Sequence, residues 1–272
     1  MERPVTKVRR RVFGETGETS GERSIPEETA VALTYNGGTA AVMMATPADL
    51  EDFAVGFSLT EGIVTSPGAI RSLEVVPEAD GIELRMWLDE TDATRLSQRR
   101  RMMAGPTGCG LCGIDSLKEA VRPVAHVTQG GHVTPQQIKQ AVASIAPAQV
   151  LNVETRAVHA AAFWHPGKGL VALREDVGRH NALDKLCGAL SRQGVAATGG
   201  IVVLTSRVSI EMVQKAAVMG AAIVAAVSAP TALAVRTAEA AGITLIGIAR
   251  ADGFEVFTHG DRVRPEMAAD VA

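Results

Sequence analysis

The apolar positions of the chain change texture near residue 155, and that change divides it. Ahead of it, Val31-Ala32-Leu33-Thr34-Tyr35 and Ala40-Ala41-Val42-Met43-Met44 flank Asn36-Gly37-Gly38. Two apolar runs around a glycine turn predict a β-hairpin. Thr46-Pro47-Ala48-Asp49 reads as a helix start, with a capping threonine, proline at the first position and an acid in the first turn. Leu50, Phe53, Ala54 and Phe57 then share one helical face, and Gly62 is placed to end the helix. Ile82-Glu83-Leu84-Arg85-Met86-Trp87-Leu88 alternates like a half-buried strand. Together these predict a small α+β unit. Thr134-Pro135-Gln136-Gln137 repeats the cap and proline start, with Ile138, Val142 and Ile145 on one face.

Beyond residue 155 short apolar runs take over: Val158 to Phe163, Gly169 to Leu173, Ile201 to Leu204, Ile223 to Val227 and Ile243 to Ile248. Segments at helical spacing separate several of them, marked by Leu183, Leu186 and Leu190, by Met212, Ala216 and Met219, and by Leu233 and Ala240. Alternating strands and helices predict a layered α/β sheet that is at least partly parallel. The fold class expected is therefore α+β: a small N-terminal α+β domain over 26–130 and a layered α/β/α domain over 131–272. Residues 1–25, rich in Arg, Glu, Thr and Gly, read as a flexible leader. No repeat of solenoid period and no low-complexity tract is visible.

Composition narrows the function classes. With 272 residues, 46% of them hydrophobic but only 3% aromatic, Ala and Val must fill much of the core, which suits closely packed helix-on-sheet layers. A net charge of −3 gives no global pull toward nucleic acid or a membrane surface. No apolar stretch reaches the roughly 20 residues of a spanning helix. Met1 to Arg11 is charged and carries no apolar signal core, so no secretory signal is visible. Three cysteines, two of them in a Cys-x-x-Cys pair, fit a reducing compartment better than a disulfide scaffold.

That pair is the sharpest chemical signal. Gly105-Pro106-Thr107-Gly108-Cys109-Gly110-Leu111-Cys112-Gly113 packs four glycines around Cys109 and Cys112. Ile114, Leu117 and Val121 follow at helical spacing, and Arg99-Arg100-Arg101 precede. A helix start and nearby cations favour thiolate, so this reads as an accessible nucleophile or metal ligand on a mobile loop. Three chemistries stay open: a zinc site, thioredoxin-like exchange, and sulfur relay through a persulfide. Zinc would need completion by His126, His132, His159 or Cys187, and no spacing recommends them. Cys187, on an apolar helix, reads as packing, and Trp87 and Trp164 as core or interface residues. His159-Ala160-Ala161-Ala162 lacks the glutamate that a zinc deaminase places after its histidine.

Ligands of open α/β sheets sit beyond the carboxyl ends of the strands. Four such ends are polar here: Arg174 to Asn181, Thr205 to Ser209, Ser228 to Thr231, and Ala249 to Gly253. Hydroxyls and arginines suit phosphate oxygens, and Asp252 could accept from guanine N–H groups.

Taken together, the motifs resemble the formate dehydrogenase accessory sulfurtransferase family (FdhD), from the hairpin near Leu33 to Val263. They are Asp52 to Gly62, Thr107 to Gly113, His159 to Ala162, Glu175 to Lys185, Ser206-Arg207 with Glu211 to Lys215, and Leu245-Ile246-Gly247. The resemblance implies a sulfurtransferase, a homodimer of the cytoplasm. It would take persulfide sulfur from a cysteine desulfurase and pass it to the bis-molybdopterin guanine dinucleotide form of the molybdenum cofactor, for use by formate dehydrogenase. It further implies that Cys109 carries the persulfide, that Cys112 assists, and that Ile248, Ala249, Arg250, Ala251, Asp252 and Gly253 bind the cofactor. A C-terminal domain similar to cytidine deaminases is expected with it. The alternatives kept beside this reading are a zinc-binding or redox-active dithiol protein and a non-enzymatic cofactor chaperone.

Overall fold

The computed structural model describes residues 3–15, 17–89 and 124–264. The stretch from Arg99 to Gly113, with Cys109 and Cys112, lies outside the described residues. The expected hairpin is present as β3 (Thr29–Tyr35) and β4 (Gly38–Ala45), with Asn36 and Gly37 both at positive φ (47° and 78°). Two consecutive left-handed residues make the turn that matches strand twist. After α1 (Leu50–Thr60), β5 (Ile70–Glu78) and β6 (Gly81–Leu88) complete a sheet in the order β4-β3-β6-β5, in which β3 and β6 run parallel. Along β6 burial alternates as its sequence predicts, and Trp87 points outward.

Two expectations for this half are corrected. Thr46 does not cap α1. The helix opens at Leu50 after Asp49 in a left-handed conformation, without a side-chain cap. Thr46 instead turns toward the other half of the chain: its N–H donates to Asp176 Oδ2 at 3.0 Å, and its Oγ1 accepts from the Val177 amide at 3.1 Å. Residues 1–25 are not a loose leader over their described part. They form an antiparallel ribbon of β1 (Val5–Gly14) and β2 (Gly17–Pro26), in register from Val5 opposite Pro26 to Gly14 opposite Gly17. Neither face of the ribbon is buried in a core, so no hydrophobic alternation announces it. Backbone pairing holds it, and Arg23 ties it down by donating to the Thr155 carbonyl at 3.2 Å.

In the second half, α2 (Pro135–Ala143) carries the expected capping box between Thr134 and Gln137, and α3 (Ile145–Ala148) and α4 (Val150–Thr155) follow. Then come β7 (His159–His165), β8 (Gly169–Asp176), α5 (Arg179–Arg192), β9 (Ile201–Leu204), α6 (Ile210–Val218), β10 (Ile223–Ala226), α7 (Ala232–Ala241), β11 (Thr244–Gly247) and β12 (Glu255–Val256). The sheet order is β12-β11-β10-β9-β7-β8. Strands β9, β10 and β11 are buried throughout, as strands covered by helices on both faces must be. Right-handed crossovers place α5, α6 and α7 on one face. The other face is covered from α2 and α3, whose Ile138, Ala141 and Ile145 join the same core.

The two halves have separate cores, and α1 lies where they meet. Phe53, Phe57 and Leu59 belong to the N-terminal core, which also receives Cys187 from α5. At the crossing, backbone meets backbone. A Cβ on Gly56 would stand inside the Asp184 carbonyl, and one on Gly188 inside the Asp52 carbonyl. Neither helix can retreat, because each is packed on its far side. Gly188→Ala is therefore expected to cost about 3 kcal/mol, the upper end of the overpacking range. Gly21→Ala, in open space on the ribbon, should change stability by less than about 0.5 kcal/mol. Urea denaturation of the two variants checks this.

Candidate functional site

The edge singled out by the sequence exists. Strand β7 runs antiparallel to both β8 and β9, while β9, β10 and β11 are parallel, so β8, β9, β10 and β11 all end at one edge. His159 opens β7 at that same edge, in register with Asp176. Fold topology thus brings together His159, the start of α5, the segment before α6, Ser228 to Thr231 and the turn after β11.

Many of the polar groups there serve the fold. Glu175 accepts from the Leu151 and Asn152 amides at 2.8 and 2.9 Å, fixing the start of α4. Asp176 accepts from the Gly178 amide and from Asn181 Nδ2 and pairs with the fully buried Lys185 at 2.6 Å. Thr205 Oγ1 accepts from the Ala160 amide at 2.8 Å, bridging β9 to β7, and Thr231 caps α7 through the Ala234 amide. Lys215 joins Asp184 at 2.9 Å and Glu61 at 2.8 Å. Burial works against the Lys215 charge, but these two carboxylates more than offset it and hold its pKa above the usual lysine range.

The turn after β11 is different. Ile248 adopts a left-handed conformation (φ 51°), unusual for a β-branched residue and costly by roughly 1–2 kcal/mol. Three backbone bonds hold the bend: Ile248 N–H to the Ser228 carbonyl, Ala249 N–H to the Ala226 carbonyl, and Arg250 N–H to the Gly253 carbonyl at 2.8 Å. Ala249 is buried beneath it, while Arg250, Ala251 and Asp252 face solvent. Ile248, Arg250, Asp252 and Gly253 line a cleft of about 290 Å³, together with Phe254 and Glu255. The sequence reading stopped at Gly253 and so left out these last two. A donor, an acceptor and an aromatic edge around one cleft can hold a polar ring.

At the opposite end of the edge, His180 begins α5. Burial pushes its pKa down to about 4, and the Arg179 and Lys215 cations add to the effect. His159 is shifted the same way, by burial and by Arg179. Both imidazoles are neutral at pH 7. Cys187 is buried, and burial together with Asp184 pushes its thiol up to about 12, so it packs and does not react. Among the described residues, no group of three or more His, Cys, Asp or Glu side chains is arranged to hold a metal ion, and no helix is long and apolar enough to cross a membrane.

His180 makes stability pH-dependent. In the unfolded chain its imidazole takes a proton near 6.5, in the folded protein only near 4. Protons therefore bind the unfolded state first, and the stabilisation present above pH 6.5 drains as pH falls toward 4. Between pH 7.5 and 5 this one group should remove about 2 kcal/mol. His180→Gln should flatten that part of the curve, as urea titrations at the two pH values will show.

Against known proteins, a family model described as the FdhD/NarQ family matches residues 26–264. The chain is 52% identical over 264 residues to the sulfur carrier protein FdhD of Agrobacterium fabrum, covering 97% of each chain. It is 54% identical over 249 residues to the protein of that name from Brucella abortus, covering 91% of this chain and 93% of that one. The crystal structure of a formate dehydrogenase accessory protein from Desulfotalea psychrophila superimposes with a TM-score of 0.77, across 96% of this chain and all of that one, at 23% identity. That likeness is one of fold. The extent of the family match and the identity to both relatives lead to one conclusion: the chain belongs to the FdhD/NarQ family.

Proposed function

We propose that this protein is a sulfur carrier that serves the maturation of formate dehydrogenase. The observation that carries the reading is identity above one half, over nearly the full chain, to relatives named as sulfur carrier proteins. The Cys-x-x-Cys stretch supplies the chemistry. Cys109 thiolate attacks the outer sulfur of a persulfide on a cysteine desulfurase, the desulfurase thiolate leaves, and Cys109 becomes the persulfide. That sulfur is at the zero oxidation level. Its release as sulfide needs two electrons, and the Cys112 thiolate supplies them by attacking the inner sulfur and closing a Cys109–Cys112 disulfide. A cellular dithiol then restores the pair.

The acceptor in this reading is the bis-molybdopterin guanine dinucleotide cofactor. The cleft beside Arg250 and Asp252 supports a guanine contact there: the carboxylate accepts from ring and amino N–H groups, and the guanidinium donates to the ring carbonyl or a phosphate. Work in the cytoplasm as a homodimer belongs to the same proposal.

Incubation with a desulfurase and cysteine should add the mass of one sulfur atom to the wild-type chain and none to Cys109→Ala, read by intact-protein mass spectrometry. Arg250→Ala and Asp252→Ala should still take up sulfur yet leave formate dehydrogenase inactive in cells. Stoichiometric zinc in the purified chain, with no sulfur uptake, would overturn the reading. So would an active formate dehydrogenase in cells carrying Cys109→Ala, which would point to a cofactor chaperone.

A further inference from the structure

Two of the sequence motifs fall at the same place, and most of their polar side chains are accounted for by the fold. In the run from Glu175 to Lys185, the side chains of Glu175, Asp176, Asn181, Asp184 and Lys185 all have partners. In the run from Glu211 to Lys215, Lys215 is held by Asp184 and Glu61. Four side chains at this spot are not accounted for. Arg179 Nε, His180 Nε2, Ser209 Oγ and Glu211 Oε2 are sealed from solvent and have no hydrogen-bond partner. An unsatisfied buried polar atom costs about 1–3 kcal/mol, so four together on two adjoining helices mark a place where something else completes the bonding.

Helical spacing brings them together. His180 and Asp184 are one turn apart on α5, and Glu211 and Lys215 are one turn apart on α6. Because Lys215 meets Asp184 at 2.9 Å, the next turn toward the helix starts sets His180 beside Glu211. Arg179 adjoins His180 in sequence. Ser209 stands at the N-cap of α6, where a serine hydroxyl ordinarily bonds the helix, and makes no such bond.

The chemistry of the four groups selects a ligand. Lys215 is neutralised by two carboxylates, which leaves one cationic donor, Arg179, and one anionic acceptor, Glu211. A neutral imidazole and a hydroxyl, each able to donate or accept, complete the set. A bare phosphate would satisfy Arg179 and be repelled by Glu211, and a cation would meet the reverse. A flat neutral edge with N–H donors next to a carbonyl satisfies both. The 2-amino-4-oxopyrimidine ring, shared by guanine and pterin, has that edge.

We propose that Arg179, His180, Ser209 and Glu211 form a binding site for an aminopyrimidinone ring, separate from the turn at 248–253. The proposal rests on the sulfur-carrier reading for the source of such a ring. Strands β9 and β11 are two places apart in the sheet, on the order of 10 Å, so one extended ligand can reach from the start of α6 to the turn.

Free pterin and guanosine diphosphate are the probes, titrated into the full wild-type chain, Glu211→Gln and Asp252→Asn by fluorescence and calorimetry. Glu211→Gln should weaken one of the two probes at least tenfold. If that probe is pterin, the ring is the pterin; if it is guanosine diphosphate, the ring is the guanine. Asp252→Asn acts at the turn: it should leave pterin binding unaffected, and where the Glu211-dependent probe is guanosine diphosphate it should remove the other of two calorimetric binding events, not the Glu211-dependent one. The site is refuted if wild type binds neither probe, or if Glu211→Gln keeps the wild-type melting temperature and both affinities. Should Glu211→Gln fail to fold, Ser209→Ala takes its place with the same expected loss for one probe. Sulfur loading of the wild-type chain is read in parallel. Ring binding without sulfur uptake would overturn the carrier reading alone, and sulfur uptake without ring binding would overturn this site alone.

Discussion

Everything in this protein depends on how α1 is held against the second half. The crossing at Gly56 and Gly188 brings two helix backbones into direct contact, and such contact leaves no room for sliding. Two buried lysines then fix each end of α1. Lys185 donates to the Thr46 carbonyl ahead of the helix at 2.9 Å and pairs with Asp176. Lys215 donates to Thr60 Oγ1 at 3.0 Å and to Glu61 at its exit, while holding Asp184. Phe53 and Phe57 lie under the two ammonium groups, at 5.9 and 5.7 Å. Buried ion pairs are poor evidence of net stability, since desolvation consumes most of the Coulombic gain. They are strong constraints on register, because a shift of either helix would strand a charge in a dry interior. The outer rim adds Asp52 between Arg174 and Arg192, at 2.7 and 2.6 Å.

That constraint carries over to the functional edge. Glu61 closes α1 and reaches the same lysine that α5 and α6 share, so the small domain contributes directly to the place where two strand ends open. The segment holding Cys109 and Cys112 is bracketed in the same way. Asp89 follows β6 in the small sheet, and Val124 packs on the core of the large one. A carrier built on this plan has its thiol segment joined to both halves, and both halves fixed to each other with little freedom. Whatever movement sulfur transfer needs is then not a movement of one core against the other.

Much of the architecture was legible because apolar runs and turn residues act locally. The strand ends at Asp176, Leu204, Ala226 and Gly247 share an edge as the alternation of strands and helices implied, and Gly62 ends α1 where expected. What could not be read depends on distant partners. Thr46 sits in a sequence that looks like a helix cap, yet its hydrogen bonds go to Asp176 and Val177, on the far side of the chain. Gly56 and Gly188 carry no local signal, since each is required by the other helix. The ribbon of β1 and β2 has no buried face, so hydrophobic periodicity had nothing to report.

The candidate site was legible in outline for a related reason, and its details were hidden for the opposite one. Sequence places charged and hydroxyl residues at strand ends, but it cannot say which of them are already engaged. The fold answers by subtraction. Thr205, Thr231, Glu175 and Asp176 look like ligand groups in the sequence and turn out to be committed to the protein's own backbone and ion pairs. Arg179, His180, Ser209 and Glu211 look no different in the sequence and are left with atoms to spare. Burial keeps His180 neutral between two cations and two carboxylates, which gives the imidazole both a donor and an acceptor nitrogen. A charged imidazole could only donate, and beside Arg179 it would favour anions of any shape. The neutral form restricts the edge to partners that offer both kinds of hydrogen bond, which is how a site built from ordinary charged residues can select a ring over a phosphate.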